Sequence, residues 1–143
     1  MIKVNFYDLN TIDDSKLKFA VIVTKYKGKW IYVRHKDRQT WEIPGGHREE
    51  NESISNAASR ELVEETGTKS FNITPICIYS VESNKDESFG SLNYAEVYEL
   101  GELPNYEIAE INLFDKIPEN LTYPLIQPYL IKKFEEFKNI QDL

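Results

Sequence analysis

Three glutamates that lie close together in the chain could bind a divalent metal ion. Glu61, Glu64 and Glu65 are spaced i, i+3 and i+4, so on a helix their carboxylates converge on one patch. A single neighbouring cation, Arg60, cannot balance three anions. Oxygen-rich convergent sites of this kind suit Mg²⁺ or Mn²⁺. The alternative is a solvated acidic surface at the end of a helix, which is the usual meaning of an isolated E-x-x-E-E pattern.

The helix that carries these glutamates is predicted over residues 53–66, with Ser53 as its N-cap and Gly67 just past its end. At about 100° per residue, its apolar side chains form one stripe, which contains Ile54, Ala57, Ala58 and Leu62. Glu61 and Glu65 fall inside this stripe, on the side where a core should lie. Buried carboxylates are costly unless a partner neutralises them. The helical wheel therefore favours a metal site without deciding between the two alternatives.

A glycine-rich turn lies just upstream of this helix and could supply further ligands. The run Trp41–Gly46 ends a predicted strand and turns sharply, and the paired glycines let the backbone approach a ligand closely. Backbone carbonyls exposed by such a turn are hard oxygen ligands. Glu52 then precedes the helix, where an isolated carboxylate would only favour the helix N-terminus electrostatically.

Taken together, these residues resemble the signature of the Nudix hydrolases. The chain reads Gly46-x5-Glu52-x7-Arg60-Glu61-Leu62-x-Glu64-Glu65-x-Gly67. The family pattern is G-x5-E-x7-R-E-U-x-E-E-x-G-U, where U is a bulky aliphatic residue. The stretch 46–68 departs from that pattern only at its last position, where Thr68 replaces the aliphatic residue. Asn51 stands where many relatives carry glycine, and asparagine tolerates left-handed backbone.

This resemblance implies an α+β (mixed α/β) fold, an α/β/α sandwich with a mixed sheet in which residues 46–68 form a loop–helix–loop. Residues 18–46 look like the strand, hairpin and strand that lead into this box in the family. The resemblance also implies hydrolysis of a nucleoside diphosphate linked to another group, by attack of water on phosphorus with Mg²⁺, or with Mn²⁺ instead. We expect one domain over residues 1–143.

The resemblance also implies the roles of individual residues. The metal ligands would be Gly45, Gly46, Glu52, Glu61, Glu64 and Glu65, the glycines through a backbone carbonyl and Glu52 directly or through water. Arg60 resembles the residue that orients a glutamate of the box. Glu61 is the candidate in the box for deprotonating the attacking water, although some relatives carry that base elsewhere in the chain. Arg60, Glu61 and Glu64 are thus the catalytic candidates.

Basic residues around the glycine turn are candidates for binding the substrate phosphates. The local cluster consists of Arg34, Lys36, Arg38 and Arg48. Guanidinium groups suit phosphate oxygens, but each of these residues could equally be an ordinary solvated charge. Resemblance over the whole chain is to the MutT-like branch, which clears oxidised nucleoside triphosphates such as 8-oxo-dGTP.

The segment expected to read the base departs from that branch. MutT-type enzymes carry an asparagine for this purpose in a P-x-N-x-P-like segment near the C-terminus, and the stretch here is Pro124–Pro128. Ile126 stands where the asparagine is expected, and only Gln127 beside it can donate and accept hydrogen bonds. A pocket without such groups discriminates weakly between bases. Strong selection of oxidised guanine is therefore not expected.

The elements that must position these residues are mostly strands. Strand-like stretches are predicted at 17–25, 29–34, 73–82, 92–100 and 107–114. Lys27 and Gly28 join the first two as a hairpin. The polar interval 83–91 predicts a mobile loop and the place for a substrate lid. A last helix is predicted from Pro128 to Lys138.

Composition excludes several other classes of protein. Of the 143 residues 41% are hydrophobic, which is typical of a folded domain, and the net charge of −7 argues against a general nucleic-acid binder. Cys77 is the only cysteine, so neither a disulfide framework nor a zinc site with His35 and His47 is expected. No apolar run is long enough to span a bilayer. We expect a cytoplasmic monomer or homodimer with a nucleotide ligand and neither a nucleic-acid nor a membrane partner.

Three alternatives remain open beside a nucleoside triphosphatase that releases pyrophosphate. Nucleotide sugars such as ADP-ribose, or dinucleoside polyphosphates, are other substrates of the same chemistry. A sensor that binds a nucleotide without cleaving it is a different class, although the box here keeps every carboxylate. An mRNA-decapping activity is disfavoured by the negative net charge.

Overall fold

A computed structural model describes residues 1–141 of the chain. Its seven strands are β1 (Ile2–Tyr7), β2 (Leu17–Tyr26), β3 (Lys29–His35), β4 (Gly45–His47), β5 (Thr68–Ser83), β6 (Asp86–Leu100) and β7 (Ile108–Phe114). Its two α-helices are α1 (Ile54–Thr66) and α2 (Gln127–Gln141), and a single 3-10 turn covers Asp14–Lys16. No helix among these residues is long and apolar enough to cross a membrane.

Six strands form one mixed sheet in the order β1-β5-β6-β2-β3-β7. The short strand β4 is outside this order and pairs with β2. Strands β2 and β6 run parallel, and the other pairs run antiparallel. β2 pairs with β3 only at its end, through Lys25 and Tyr26, whereas the start of β2 pairs with β4. The sheet therefore opens between β2 and β3, and the glycine turn enters this gap.

One helix packs on each face of the sheet. Alternate residues of β2 point to opposite faces: Ala20 and Ile22 pack against Leu62 of α1, and Val23 belongs to the separate core cluster that contains Leu130 of α2. This arrangement is the α/β/α sandwich that the family resemblance implies, so the predicted fold class is confirmed.

The ends of α1 are where the sequence predicts them. The Ser53 side chain accepts a hydrogen bond from the Asn56 N–H at 3.0 Å. Gly67 adopts a left-handed conformation with φ 72°, and its N–H donates to the Val63 carbonyl at 2.9 Å. Asn51, upstream of the helix, has φ 64°, as its tolerance of left-handed backbone allows. The caps thus fix where α1 begins and ends, and the packing of Ala58 and Leu62 on the sheet fixes the direction of its glutamates.

The prediction of a mobile loop over residues 83–91 is wrong. β5 and β6 form a tight hairpin in which Ser83 pairs with Asp86. The polar side chains that suggested a loop are satisfied across strands, since the Glu87 carboxylate accepts hydrogen bonds from the Ser80 and Tyr7 hydroxyls. A substrate lid cannot lie in this segment as an irregular loop.

The remaining predicted helices and strands are confirmed, and every one of these strands except β7 is longer than predicted. Lys27 and Gly28 make the β2–β3 turn with φ values of 52° and 79°. β5 begins at Thr68, so the position that departs from the family pattern starts a strand. The Thr68 side chain is buried, and its hydroxyl donates to the Glu99 carbonyl at 3.2 Å. Its polar group is therefore satisfied within the core.

Candidate active site

The glycine turn and α1 meet at one edge of the gap in the sheet. The Gly45 N–H donates to Oε1 of Glu65 at 2.9 Å. A Cβ atom on Gly46 would collide with the Glu61 carboxylate, so glycine is required there for this carboxylate to approach the turn. Two glutamates of the box are thus seated directly against the backbone of β4.

Arg60 forms hydrogen bonds with the other carboxylates of the box. Its Nε donates to Glu52 at 2.6 Å, and its Nη1 donates to Glu61 at 2.7 Å and to Glu64 at 3.2 Å. Its Nη2 also donates to the His47 carbonyl at 3.0 Å. The hydrogen bond from Arg60 lowers the pKa of Glu52 to about 2. Arg60 is therefore placed to orient the glutamates, the part that the family resemblance implies for it.

Burial has the opposite effect on two of the glutamates. Burial raises the pKa of Glu65 to about 8, and the Gly45 N–H only partly opposes this. Burial also raises the pKa of Glu61. Glu64 is more open, with 37% of its side chain exposed. A cation at this patch would relieve the cost of ionising the two buried carboxylates.

Two residues without a predicted role extend the site on the β3 side. Glu42 is buried, and its Oε1 accepts from Nη1 of Arg38 at 2.9 Å. Nε2 of His35 lies 3.1 Å from the same oxygen and 3.5 Å from Oε2 of Glu65. The sequence does carry an indication for Glu42, because a carboxylate between the apolar residues Trp41 and Ile43, directly before the turn, is unusual. His35 has no predicted role, and its spacing in the sequence gives no sign of this contact.

Glu107 is a further carboxylate that the sequence analysis missed. It lies in the loop before β7 and lines the same cleft as Glu61 and Glu65. Its charge raises the pKa of both of these glutamates. Nothing in its sequence position marks it, because it is far along the chain from the box.

A cleft of about 740 Å³ connects this acidic patch to an apolar region on the α2 side of the sheet. At the acidic end it is lined by Glu42, Glu61, Glu65 and Glu107 with the two glycines of the turn. The apolar end is lined by Phe19, Val21, Tyr79, Val81, Ile126 and Leu130. Such a shape fits a ligand with a charged part and a flat apolar part.

The structure leaves Arg34 and Lys36 outside the lining and brings the other three of the five predicted substrate-binding residues to this cleft. Arg38, Arg48 and Gln127 line it. Arg48 is also tied to Asp14, whose carboxylate and carbonyl accept its hydrogen bonds at 2.8 and 2.7 Å. Arg34 lies outside the cleft lining, and its guanidinium pairs with Glu110 at 3.1 Å.

One family model covers the part of the chain that contains the glycine turn, α1 and the glutamates of the box. Residues 14–123 match the family model of the NUDIX domain. The chain belongs to the Nudix family. Its Nudix box is the segment from Gly46 to Thr68 that contains α1.

Similar proteins agree with this assignment. YtkD of Bacillus subtilis, whose name proposes an 8-oxo-dGTP diphosphatase, is 31% identical over 117 residues, which cover 81% of this chain and 73% of that protein. A crystal structure of the Bacillus subtilis pyrophosphohydrolase BsRppH superposes with a TM-score of 0.78 at 26% identity, covering 94% of this chain and 90% of that one. These relatives identify this Nudix protein as a pyrophosphohydrolase of the MutT-like kind.

A more distant neighbour supports the fold alone. The NUDIX domain of Shewanella oneidensis NrtR, in complex with ADP ribose, has a TM-score of 0.66 at 20% identity. The match covers 91% of this chain and 92% of that one. The sandwich fold is thus shared with a protein of very different sequence.

Nudix hydrolases use divalent metal ions, and the donor set of this box fits one. Among residues 1–141, no three acidic, histidine or cysteine side chains are already arranged around one metal position. Instead, Glu61 and Glu64 both accept hydrogen bonds from the guanidinium of Arg60. The donors are nevertheless all hard oxygens, and Gly46 leaves the space that the Glu61 carboxylate needs beside the turn.

Proposed function

We propose that the protein hydrolyses nucleoside triphosphates to the monophosphate and pyrophosphate with Mg²⁺, or with Mn²⁺ in its place. The observation that carries this proposal is the set of Nudix-box glutamates at the mouth of a cleft whose other end is apolar. The charged end suits a metal-bound polyphosphate, and the apolar end suits a base. The name of YtkD, which proposes an 8-oxo-dGTP diphosphatase, supports the same substrate class.

The proposed metal ligands are four glutamates of the box and the backbone carbonyls of the glycine turn. The glutamates are Glu52, Glu61, Glu64 and Glu65, and the glycines are Gly45 and Gly46. A bound divalent ion polarises phosphoryl oxygens, lowers the pKa of a water ligand and neutralises charge that develops in the transition state. Arg60 orients Glu52 and Glu61 through the hydrogen bonds described above. Arg38 and Arg48 line the cleft and would contact the phosphates of a bound nucleotide.

A carboxylate must accept the proton of the attacking water. Glu61 is our candidate, because burial raises its pKa and so makes the carboxylate a stronger base. Glu107 is the second candidate, since it lines the cleft beside Glu61 from a different loop. Replacing each by glutamine tests the assignment: loss of the base should abolish the acidic limb of the pH–rate profile, where the rate falls because the base is protonated. Metal binding should be unchanged only in Glu107→Gln, since Glu61 is also a proposed metal ligand.

The test is a hydrolysis screen with Mg²⁺ that resolves pyrophosphate from orthophosphate. The panel contains the common nucleoside triphosphates, 8-oxo-dGTP, ADP-ribose and diadenosine polyphosphates. Release of pyrophosphate from a triphosphate, abolished by chelation of the metal, is the expected result. Turnover of ADP-ribose or a dinucleoside polyphosphate without turnover of any triphosphate would contradict the proposed substrate class, and metal and nucleotide binding without turnover would indicate a sensor.

A further inference from the structure

One polar side chain in the apolar end of the cleft is held in a fixed orientation. Gln127 is the first residue of α2 and is 5% exposed. Its Oε1 accepts a hydrogen bond at 2.9 Å from the N–H of Ile43, which is itself buried. Because a backbone N–H can only donate, the amide cannot turn over without breaking this bond. Its NH₂ group is therefore the part left free.

This NH₂ group opens into the cleft. Nε2 of Gln127 makes no hydrogen bond to any residue in the described range 1–141. Within that range, no fully buried side-chain nitrogen or oxygen lacks a partner, so this nitrogen has access to space outside the protein. The space that Gln127 borders is the cleft, beside Ile126 and Leu130. A donor with no protein acceptor, on a side chain this deeply buried, is suited to a ligand acceptor.

The surroundings of Gln127 suit a flat heterocycle. The rings of Phe19 and Tyr79 lie 5.4 Å apart, and both line the cleft. Gly90 lies behind the Phe19 ring, and a Cβ at this position would collide with it. The carboxylate of Glu42, another deeply buried polar group that lines the cleft, already accepts hydrogen bonds from Arg38. The NH₂ of Gln127 is thus a fixed donor in largely apolar surroundings.

Resting on the proposed function, we propose that Gln127 selects nucleotides whose base carries a keto oxygen where adenine carries an amino group. With the phosphates at the glutamates, the glycosidic nitrogen of a purine faces the acidic end. The opposite edge, which bears the substituent at position 6, then faces α2. A keto oxygen there accepts from the free NH₂ of Gln127, whereas an amino group meets it donor to donor.

This assignment differs from recognition of oxidised guanine. Guanine and 8-oxoguanine both carry a keto oxygen at position 6, so Gln127 treats them alike. Hypoxanthine is accepted for the same reason. The class selected is therefore the 6-keto purine nucleotides, with adenine nucleotides rejected.

The first test compares ITP with ATP on the native protein with Mg²⁺. A third substrate, purine riboside triphosphate, has no substituent at position 6 and gives the reference value. We expect kcat/KM for ITP to exceed that for ATP by about tenfold or more, since one buried hydrogen bond is at stake. Equal values for ITP and ATP, or a preference for ATP, would overturn the proposal.

The second test replaces the hydrogen-bond donor of Gln127 with an acceptor. Gln127→Glu, assayed at alkaline pH where the new carboxylate is ionised, retains an acceptor for the Ile43 N–H and presents an acceptor to the base. The ratio of kcat/KM for ITP to that for ATP should fall by about tenfold or more. Gln39→Glu makes the same chemical change at an exposed position and should leave the ratio unaltered. If the folded Gln127→Glu variant keeps the ITP-to-ATP ratio of the native protein, Gln127 does not contact the base and only accepts the hydrogen bond from the Ile43 N–H.

Binding measurements separate this inference from the proposed hydrolysis. If no triphosphate is hydrolysed, calorimetry with IMP and AMP still reports base selection. Tighter binding of IMP by about tenfold would support the role of Gln127 although the proposed reaction fails. Hydrolysis of ITP and ATP at equal rates would leave the reaction in place and remove the role of Gln127.

Discussion

Arg60 is surrounded by more negative charge than one guanidinium can neutralise. It donates to Glu52, Glu61 and Glu64, while Glu65 is held separately by the Gly45 N–H. The hydrogen bonds satisfy these carboxylates, but the excess charge remains. A divalent metal ion bound as proposed would balance that excess, so the proposed ligand set is best tested one residue at a time.

Glu64 is the most informative residue to replace. Glu64→Gln removes one ligand charge without changing the size of a side chain that is 37% exposed. We expect kcat to fall on the order of a hundredfold or more, with the free energy of unfolding in the absence of metal within about 0.5 kcal/mol of native. Hydrolysis assays and urea denaturation measure the two quantities. Glu135→Gln on the exposed face of α2 is the control, and native turnover by Glu64→Gln would remove Glu64 from the metal site.

Glu65 should make the metal-free protein less stable as pH rises. Its pKa is about 8 when folded and near 4.5 when unfolded, so the unfolded chain releases this proton first. The stabilisation is full below about pH 4.5 and is lost progressively up to about pH 8. Glu65→Gln, whose amide oxygen can still accept from Gly45, should remove roughly 2–4 kcal/mol of that pH dependence. Denaturation with chelator present tests this, and parallel pH curves for the two proteins would contradict it.

The hairpins and α1 are the elements that hold these residues in place. The i, i+3, i+4 spacing and the caps of α1 are local, so the sequence predicts the helix to within a residue. The β5–β6 hairpin was missed because its polar residues pair across strands, and their partners, such as Tyr7 for Glu87, lie far away in the chain. Residues 83–88 are exposed, as they would be in a loop, and it is their pairing across the two strands that makes this segment a hairpin.

Gly67 is the point where α1 must stop and turn into β5. Gly67→Ala would force alanine into a left-handed conformation and drive its Cβ against the Glu102 carbonyl. We expect a loss of about 2–4 kcal/mol in the free energy of unfolding, measured by urea denaturation. Gly28→Ala is the matched control, since φ is again positive but no atom lies within 4 Å, and it should cost about 1 kcal/mol. Equal losses would show that the contact with Glu102 carries no cost.

At the scale of the whole molecule, the site joins parts of the chain that are far apart in sequence. The glycine turn enters from β3, the glutamates from α1, Glu107 from the loop before β7, and Gln127 from α2. A ligand that bridges these parts binds only the folded chain. Such a ligand must therefore raise the free energy of unfolding.

Mg²⁺ should accordingly stabilise the protein against heat. A hundredfold excess over the dissociation constant corresponds to about 2.7 kcal/mol. The rise in Tm should be larger at alkaline pH, because burial raises the pKa of Glu65 and the metal requires its ionised form. Thermal denaturation with Mg²⁺ or chelator measures this. An unchanged Tm in native protein, or the same rise in Glu64→Gln, would contradict the proposed ligands.

Sequence by itself determined the box, the helix that carries it, the β2–β3 hairpin and the fold class, because each depends on residues close together in the chain. Tertiary structure alone decided that Glu107, His35 and Glu42 join the site and that Arg34 stands apart from the cleft. It also fixed which end of the Gln127 amide faces the cleft, through the Ile43 N–H on another element. These contacts join residues that are far apart in the chain, so the spacing of residues in the sequence does not predict them.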